Sequence, residues 1–174
     1  VTLTKEITGA LSDTEKQSVL SSLKVYAKSG ETARTEFEKG NDGKYSATLT
    51  AGTYTIEEEG HTVEGYDCTA TLGEGLSFTV VAGVNQNLTL TNNYTAKQYT
   101  ISYEYTDPVP KNAPAAPASS NAAYKSRQQV ADAPTLDGWT FSGWTTGDVT
   151  VDNDGKFTMP NKDVTFTGSW TQRA

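Results

Sequence analysis

The sequence predicts a mainly all-β protein, and three observations predict it. Apolar and polar residues alternate with a period of two in short runs along most of the chain. Turn signals such as "NDGK" (41–44) and "AGT" (51–53) separate those runs. Thr, Gly, Tyr and Val are frequent, the residues that pleated strands and tight turns favour.

Taken in order, strands are expected near 1–8, 22–28, 44–50, 53–59, 66–72, 76–81 and 86–94. One stretch breaks the period. In "LSDTEKQSVLSSL", Ser12 and Glu15 have the spacing of a capping box, with Val19, Leu20 and Leu23 at helical spacing behind it, so a short helix is expected there. "TAKQ" (95–98) is a brief joint, after which Tyr99, Ile101, Tyr103 and Tyr105 begin a new alternation. "DPVPKNAPAAPASSNAA", rich in Pro, Ala and Ser, reads as a surface loop. Strand patterns return in "GWTFSGWT" (138–145), "VTVDNDGKFTMP" (149–160) and "VTFTGSWT" (164–171). A boundary near residue 96 divides the chain into domains of 1–95 and 98–172.

Composition limits the function. The net charge of −7 and pI near 4.7 argue against nucleic acid and anionic membrane as partners, and favour a monomer. No apolar run reaches membrane-spanning length. Val1 opens directly on a strand pattern without a signal peptide, which reads as a mature fragment or an excised piece of a longer protein. With one cysteine, Cys68, no intramolecular disulfide can form.

The first strand carries an anomaly. In "VTLTKEI", Val1, Leu3 and Ile7 share the inward phase, and so does Lys5, whose desolvation is expensive. Two other strands repeat it. Glu58 follows Tyr54 and Ile56 in phase, and Asn92 follows Leu88 and Leu90. An amine, a carboxyl and a carboxamide in inward phases are the ingredients of one reaction. A neutral lysine amine can attack an asparagine carboxamide, expel ammonia and leave an amide. Burial lowers a lysine pKa and raises that of a glutamic acid, which can then polarise the carboxamide and shuttle the proton. Fixed proximity supplies much of the rest. The competing reading is a buried Lys5–Glu58 ion pair with Asn92 hydrogen-bonded beside it. A one-residue bulge would put Glu57 or Glu59 in the place of Glu58, and Asn93 in that of Asn92.

"VTLTKEITG", "AGTYTIEEEG", "EGYDC" and "LTLTNNY" together resemble the Cna B-type and pilin isopeptide domains of Gram-positive surface proteins, over residues 1–95. The resemblance implies an Ig-like β-sandwich in which Lys5 and Asn92 are cross-linked and Glu58 is the catalytic carboxyl. "YTISYEYTDPVP", "GWTFSGWT" and "FTMPNKDVTFTGSWT" resemble SHIRT-type domains, with a looser likeness to Listeria–Bacteroides repeats, over residues 98–172. That resemblance implies a small β-rich spacer domain without catalytic residues.

Other candidate sites are weaker. Trp139, Trp144 and Trp170 could form a sugar-binding platform, but phase places Trp139 with Phe141, and Trp170 with Val164 and Phe166, as core. Trp144 is then the best candidate for exposure. "DNDG" (152–155) starts like a calcium loop without the acidic residue that would close it, and reads with "NDGKY" (41–45) as a hairpin turn. "NLT" (87–89) and "NYT" (93–95) fit the glycosylation pattern, which matters only in a eukaryotic secretory pathway. Cys68 and His61 have no evident partner for nucleophilic catalysis, and Cys68 is expected to be a buried or half-buried thiol. No cofactor or metal site is expected.

The sequence therefore reads as a stalk segment of an extracellular, cell-wall-attached adhesin or pilin-like protein, with no turnover activity. Its partners would be neighbouring domains of the same protein. The alternative is an adhesin module that binds a host glycan or protein.

Overall fold

The structure is a computed structural model and describes residues 1–31 and 33–174. It is mainly β, with one helix among the described residues, and divides into two compact units, Val1–Thr95 and Ala96–Ala174.

The first unit contains β1 (Thr2–Gly9), α1 (Asp13–Ser22), β2 (Lys24–Lys28), β3 (Thr35–Glu36), β4 (Glu38–Lys39), β5 (Tyr45–Ser46), β6 (Gly52–Glu59), β7 (Tyr66–Thr71), β8 (Ser77–Val80) and β9 (Asn87–Ala96). They form a five-stranded sheet in the order β4-β5-β1-β9-β7 and a four-stranded sheet in the order β3-β2-β6-β8. One apolar core joins them. Leu3, Tyr45 and Leu90 from the first sheet share it with Val25, Ala27, Tyr54, Ile56, Phe78 and Val80 from the second. Two sheets packed through alternating inward residues make a β-sandwich.

Helix α1 starts as its sequence dictates. The Ser12 hydroxyl accepts from the Glu15 N–H, and the Glu15 carboxylate accepts from the Ser12 N–H at 2.9 Å. Val19 is its buried residue. The first and last strands of the unit pair in parallel from Thr2↔Asn87 to Gly9↔Tyr94, so Lys5 lies opposite Leu90 and Ile7 opposite Asn92. The ladder ends at Gly9, where φ is +90° and a Cβ would lie 2.1 Å from the Tyr94 carbonyl oxygen. Only glycine fits that approach.

The second unit contains β10 (Gln98–Tyr105), β11 (Ser120–Ala123), β12 (Arg127–Gln129), β13 (Trp139–Phe141), β14 (Lys156–Thr158), β15 (Val164–Gly168) and β16 (Trp170–Gln172). β10 lies between β11 and β15, and the pairs β12–β14 and β13–β16 are separate small sheets. Ile101, Ala122, Phe157, Met159, Val164 and Phe166 form the core, with Tyr103 and Trp144 packed against it.

Several expected elements differ. The strand expected over 44–50 is confined to Tyr45–Ser46. The Ala47 N–H still bonds the Val1 carbonyl at 3.0 Å, but beyond it the chain crosses to β6 in the facing sheet. Of the joint at 95–98, only Lys97 lies outside a strand. The end of the Pro/Ala/Ser-rich loop forms β11, because β10 offers it a free edge from Gln98 to Ile101. The strand pattern over 138–145 is cut to β13, as Gly143 takes a φ of +89° two residues later. Residues 149–151 form no strand, and β14 pairs with β12 instead of folding back on them. The run over 164–171 splits at Ser169, so that β15 pairs with β10 and β16 with β13. Short strands β3, β4 and β12 carry too few residues to show a period.

Candidate functional site

Three strands of the first unit bring Lys5, Glu58 and Asn92 into its interior. Lys5 follows Leu3 on the inner face of β1, and Glu58 follows Tyr54 and Ile56 on that of β6 in the opposite sheet. The Lys5 Nζ donates to Glu58 Oε1 at 2.7 Å, and the two side chains are only 2% and 4% exposed. Asn92 follows Leu90 on β9, the neighbour of β1, and is fully buried. Its carboxamide has no hydrogen-bond partner at either Oδ1 or Nδ2. The ion pair of the competing reading is present, but the hydrogen-bonded asparagine is not.

Burial lowers the Lys5 pKa, and the hydrogen bond and charge of Glu58 only partly oppose it. Tyr45 on β5, Tyr94 on β9 and Cys68 on β7 complete the surroundings. The Tyr45 phenol is pushed up by burial and then by the Glu58 charge, and its hydroxyl is buried without a partner. The Tyr94 phenol is pushed up, first by burial and then by Cys68. Its hydroxyl donates to the His61 carbonyl. Cys68 is half-buried, and burial raises its thiol pKa. Sequence reasoning missed both tyrosines. Tyr94 shares the phase of Asn92, two residues on, which is a usable signal; Tyr45 comes from a strand too short to give one.

The neighbouring acids and amide face outward. Glu57 pairs with Lys28 at 3.4 Å and Arg34 at 3.5 Å, Glu59 pairs with Arg34, and the Asn93 Oδ1 accepts from the Thr8 hydroxyl at 2.9 Å. No bulge shifts the phase.

In the second unit the aromatic residues pack on one another. Trp144, expected to be the most exposed tryptophan, is half-buried: its ring stacks on Tyr105 at 5.4 Å and meets Phe141 edge-on at 4.7 Å. Its indole N–H donates to the Asp132 carbonyl at 3.2 Å. Trp170 is buried, and Trp139 lines a shallow groove with Pro134, Leu136 and Arg173. Asp152 spends its carboxylate on the turn, accepting from the Asp154 and Lys156 N–H groups at 3.0 and 2.8 Å. Among the described residues no three His, Cys, Asp or Glu side chains are placed to share a metal.

Residues 112–174 match the family of the divergent InlB B-repeat domain. The class of module that this stretch is similar to is a repeat domain of bacterial surface proteins. A solved structure of streptococcal SHIRT domains 3–4, from a cell surface protein, aligns over 97% of this chain and 96% of its own length. The identity is 15% and the TM-score 0.38. No curated protein matches at a significant level.

Proposed function

We propose that the first unit forms an intramolecular amide between Lys5 and Asn92, with Glu58 as the catalytic carboxyl, and that the chain is a structural stalk segment of a bacterial surface protein. The observation that carries the reading is the buried Lys5–Glu58 pair, with an unpartnered, fully buried carboxamide on the strand paired to that of Lys5. A buried ion pair gains little stability, and an orphaned buried amide costs about 1–3 kcal/mol. The reaction relieves both.

The chemistry follows from the geometry. A proton moving from Lys5 to Glu58 along their 2.7 Å hydrogen bond leaves a neutral amine, the form that burial favours at Lys5, and a carboxyl able to donate. The Nζ lone pair attacks the Asn92 carbonyl carbon, while the Glu58 carboxyl polarises Oδ1. Glu58 then takes the second Nζ proton as it releases one to Nδ2, which leaves as ammonia. The products are one amide and one NH3, without a cofactor. The fold holds the reactants on adjacent paired strands, which makes the step intramolecular. Each chain reacts once, so this is not a turnover enzyme.

The stalk role is supported by the similarity of residues 112–174 to a surface-protein repeat. Such a segment would be extracellular and wall-attached, monomeric, and joined to neighbouring domains of its own protein. Intact mass of the denatured protein tests the central claim. Wild type should weigh one ammonia less than its sequence, and Lys5→Ala, Glu58→Ala and Asn92→Ala should each show full mass. A wild-type mass equal to the calculated one would end the proposal.

A further inference from the structure

The two ends of the Asn92 carboxamide have opposite chemistry, since Oδ1 only accepts hydrogen bonds and Nδ2 only donates them. Only one orientation presents Oδ1 to the Lys5–Glu58 pair. Tyr94 lies two residues further along β9, hence on the same face, and is 1% exposed. A phenol has one proton, and that of Tyr94 is given to the His61 carbonyl. Its oxygen is therefore left as an acceptor, repelled by a carbonyl oxygen and attracted to an N–H. Asn92 is close enough to act on the phenol, although neither carboxamide atom has a formed hydrogen bond.

From this arrangement we infer that Tyr94, with its hydroxyl locked by His61, is a positioning residue that turns the Asn92 Nδ2 toward itself and Oδ1 toward Glu58. The inference rests on the amide-forming reading of the site. Burial raises the phenol pKa, so the hydroxyl keeps the proton that the lock requires. The departing nitrogen then faces Tyr94 and Cys68. Cys68 is half-buried on β7, the outermost strand of its sheet, which gives ammonia a short way out. The His61 carbonyl belongs to the segment just after β6, so the same hydrogen bond ties the strand carrying Glu58 to the strand carrying Asn92.

Tyr94→Phe keeps the ring and removes the acceptor. Mass spectra taken as a time course after cell-free synthesis should show the variant losing ammonia about tenfold more slowly than wild type, the worth of one hydrogen bond. Far-UV circular dichroism should show it folded throughout. An equal rate in both, with wild type cross-linked, would overturn the inference and leave the amide itself standing. Uncross-linked wild type would remove both. A second measurement does not depend on the variant folding. In Lys5→Ala, where no bond can form, NMR should show contacts from the Asn92 Nδ2 protons to the Tyr94 ring. Contacts from those protons to Glu58 instead would also overturn it.

Discussion

Lys5 is the residue on which the proposed chemistry of the first unit turns. Its amine is useful only when neutral, and burial lowers its pKa against the opposing pull of Glu58. The reactive form, neutral Lys5 with protonated Glu58, holds as many protons as the ion pair. Ammonia loss should therefore be steady around neutral pH and fall once the pair loses that proton, below the pH at which an ordinary lysine deprotonates, near 10.4. A rate that keeps climbing to that value would count against an activated Lys5. The same shift has a consequence for stability in Asn92→Ala, where Lys5 cannot react. There the unfolded state binds a proton more readily than the folded state does. The penalty is complete below the lowered folded pKa, and is relieved as pH rises from that value toward the unfolded one. The urea midpoint of Asn92→Ala should rise over that interval. In Lys5→Met/Asn92→Ala this contribution should vanish, and an unchanged rise would assign it to another group.

At the scale of elements, the second unit is built from short pieces tied together by side chains. Asp148 lies in the irregular segment after β13, yet its carboxylate accepts from the Thr165 N–H of β15 at 3.0 Å and pairs with Lys162 at 3.0 Å. The Thr165 N–H, followed by Lys162, holds the Asp148 carboxyl below the usual aspartate range. Its contribution is thus present above the unfolded pKa, near 3.9, and is lost as pH falls through the lower folded value. In Asp148→Asn the melting transition of the second unit should fall at neutral pH, and the gap to wild type should close in acid. A gap that stayed constant down to about pH 2 would assign the effect to packing rather than charge.

For the whole molecule, the consequence is mechanical. β1 and β9 run parallel, so Val1 lies at one end of their ladder and the exit toward the second unit at the other. Tension between those points shears the paired strands. An amide from Lys5 to Asn92 would carry that load covalently and close a loop around nearly the entire unit. By the chain-entropy model such a loop adds roughly 4–5 kcal/mol of stability. β10 and β15 are also parallel, but the second unit has no comparable lysine, glutamate and asparagine set in its core. Pulled from both ends, wild type should extend by unfolding residues 96–174 alone. Lys5→Ala should add a second unfolding event and lower the melting temperature of the first unit. Single-molecule traces in which the wild-type first unit extends fully would refute the load-bearing role.

The alternation of the longer strands by itself determined the β class, and the Ser12–Glu15 spacing determined the start of the helix. The same period singled out Lys5, Glu58 and Asn92, because a polar residue in an apolar phase is visible without any knowledge of its neighbours. Which atoms meet was decided only by tertiary structure. The parallel register of β1 on β9, the 2.7 Å Lys5–Glu58 contact and the unpartnered Asn92 carboxamide depend on how two sheets face each other. The second unit was less legible, since β12, β13 and β14 hold three residues each, and a period of two needs more than that to appear. Trp144 shows the same limit. Its phase marked it for solvent, but Tyr103 and Tyr105, brought from β10, cover it together with nearby Phe141. Local pattern fixes which face of a strand is apolar, whereas long-range contacts decide what that face is buried against.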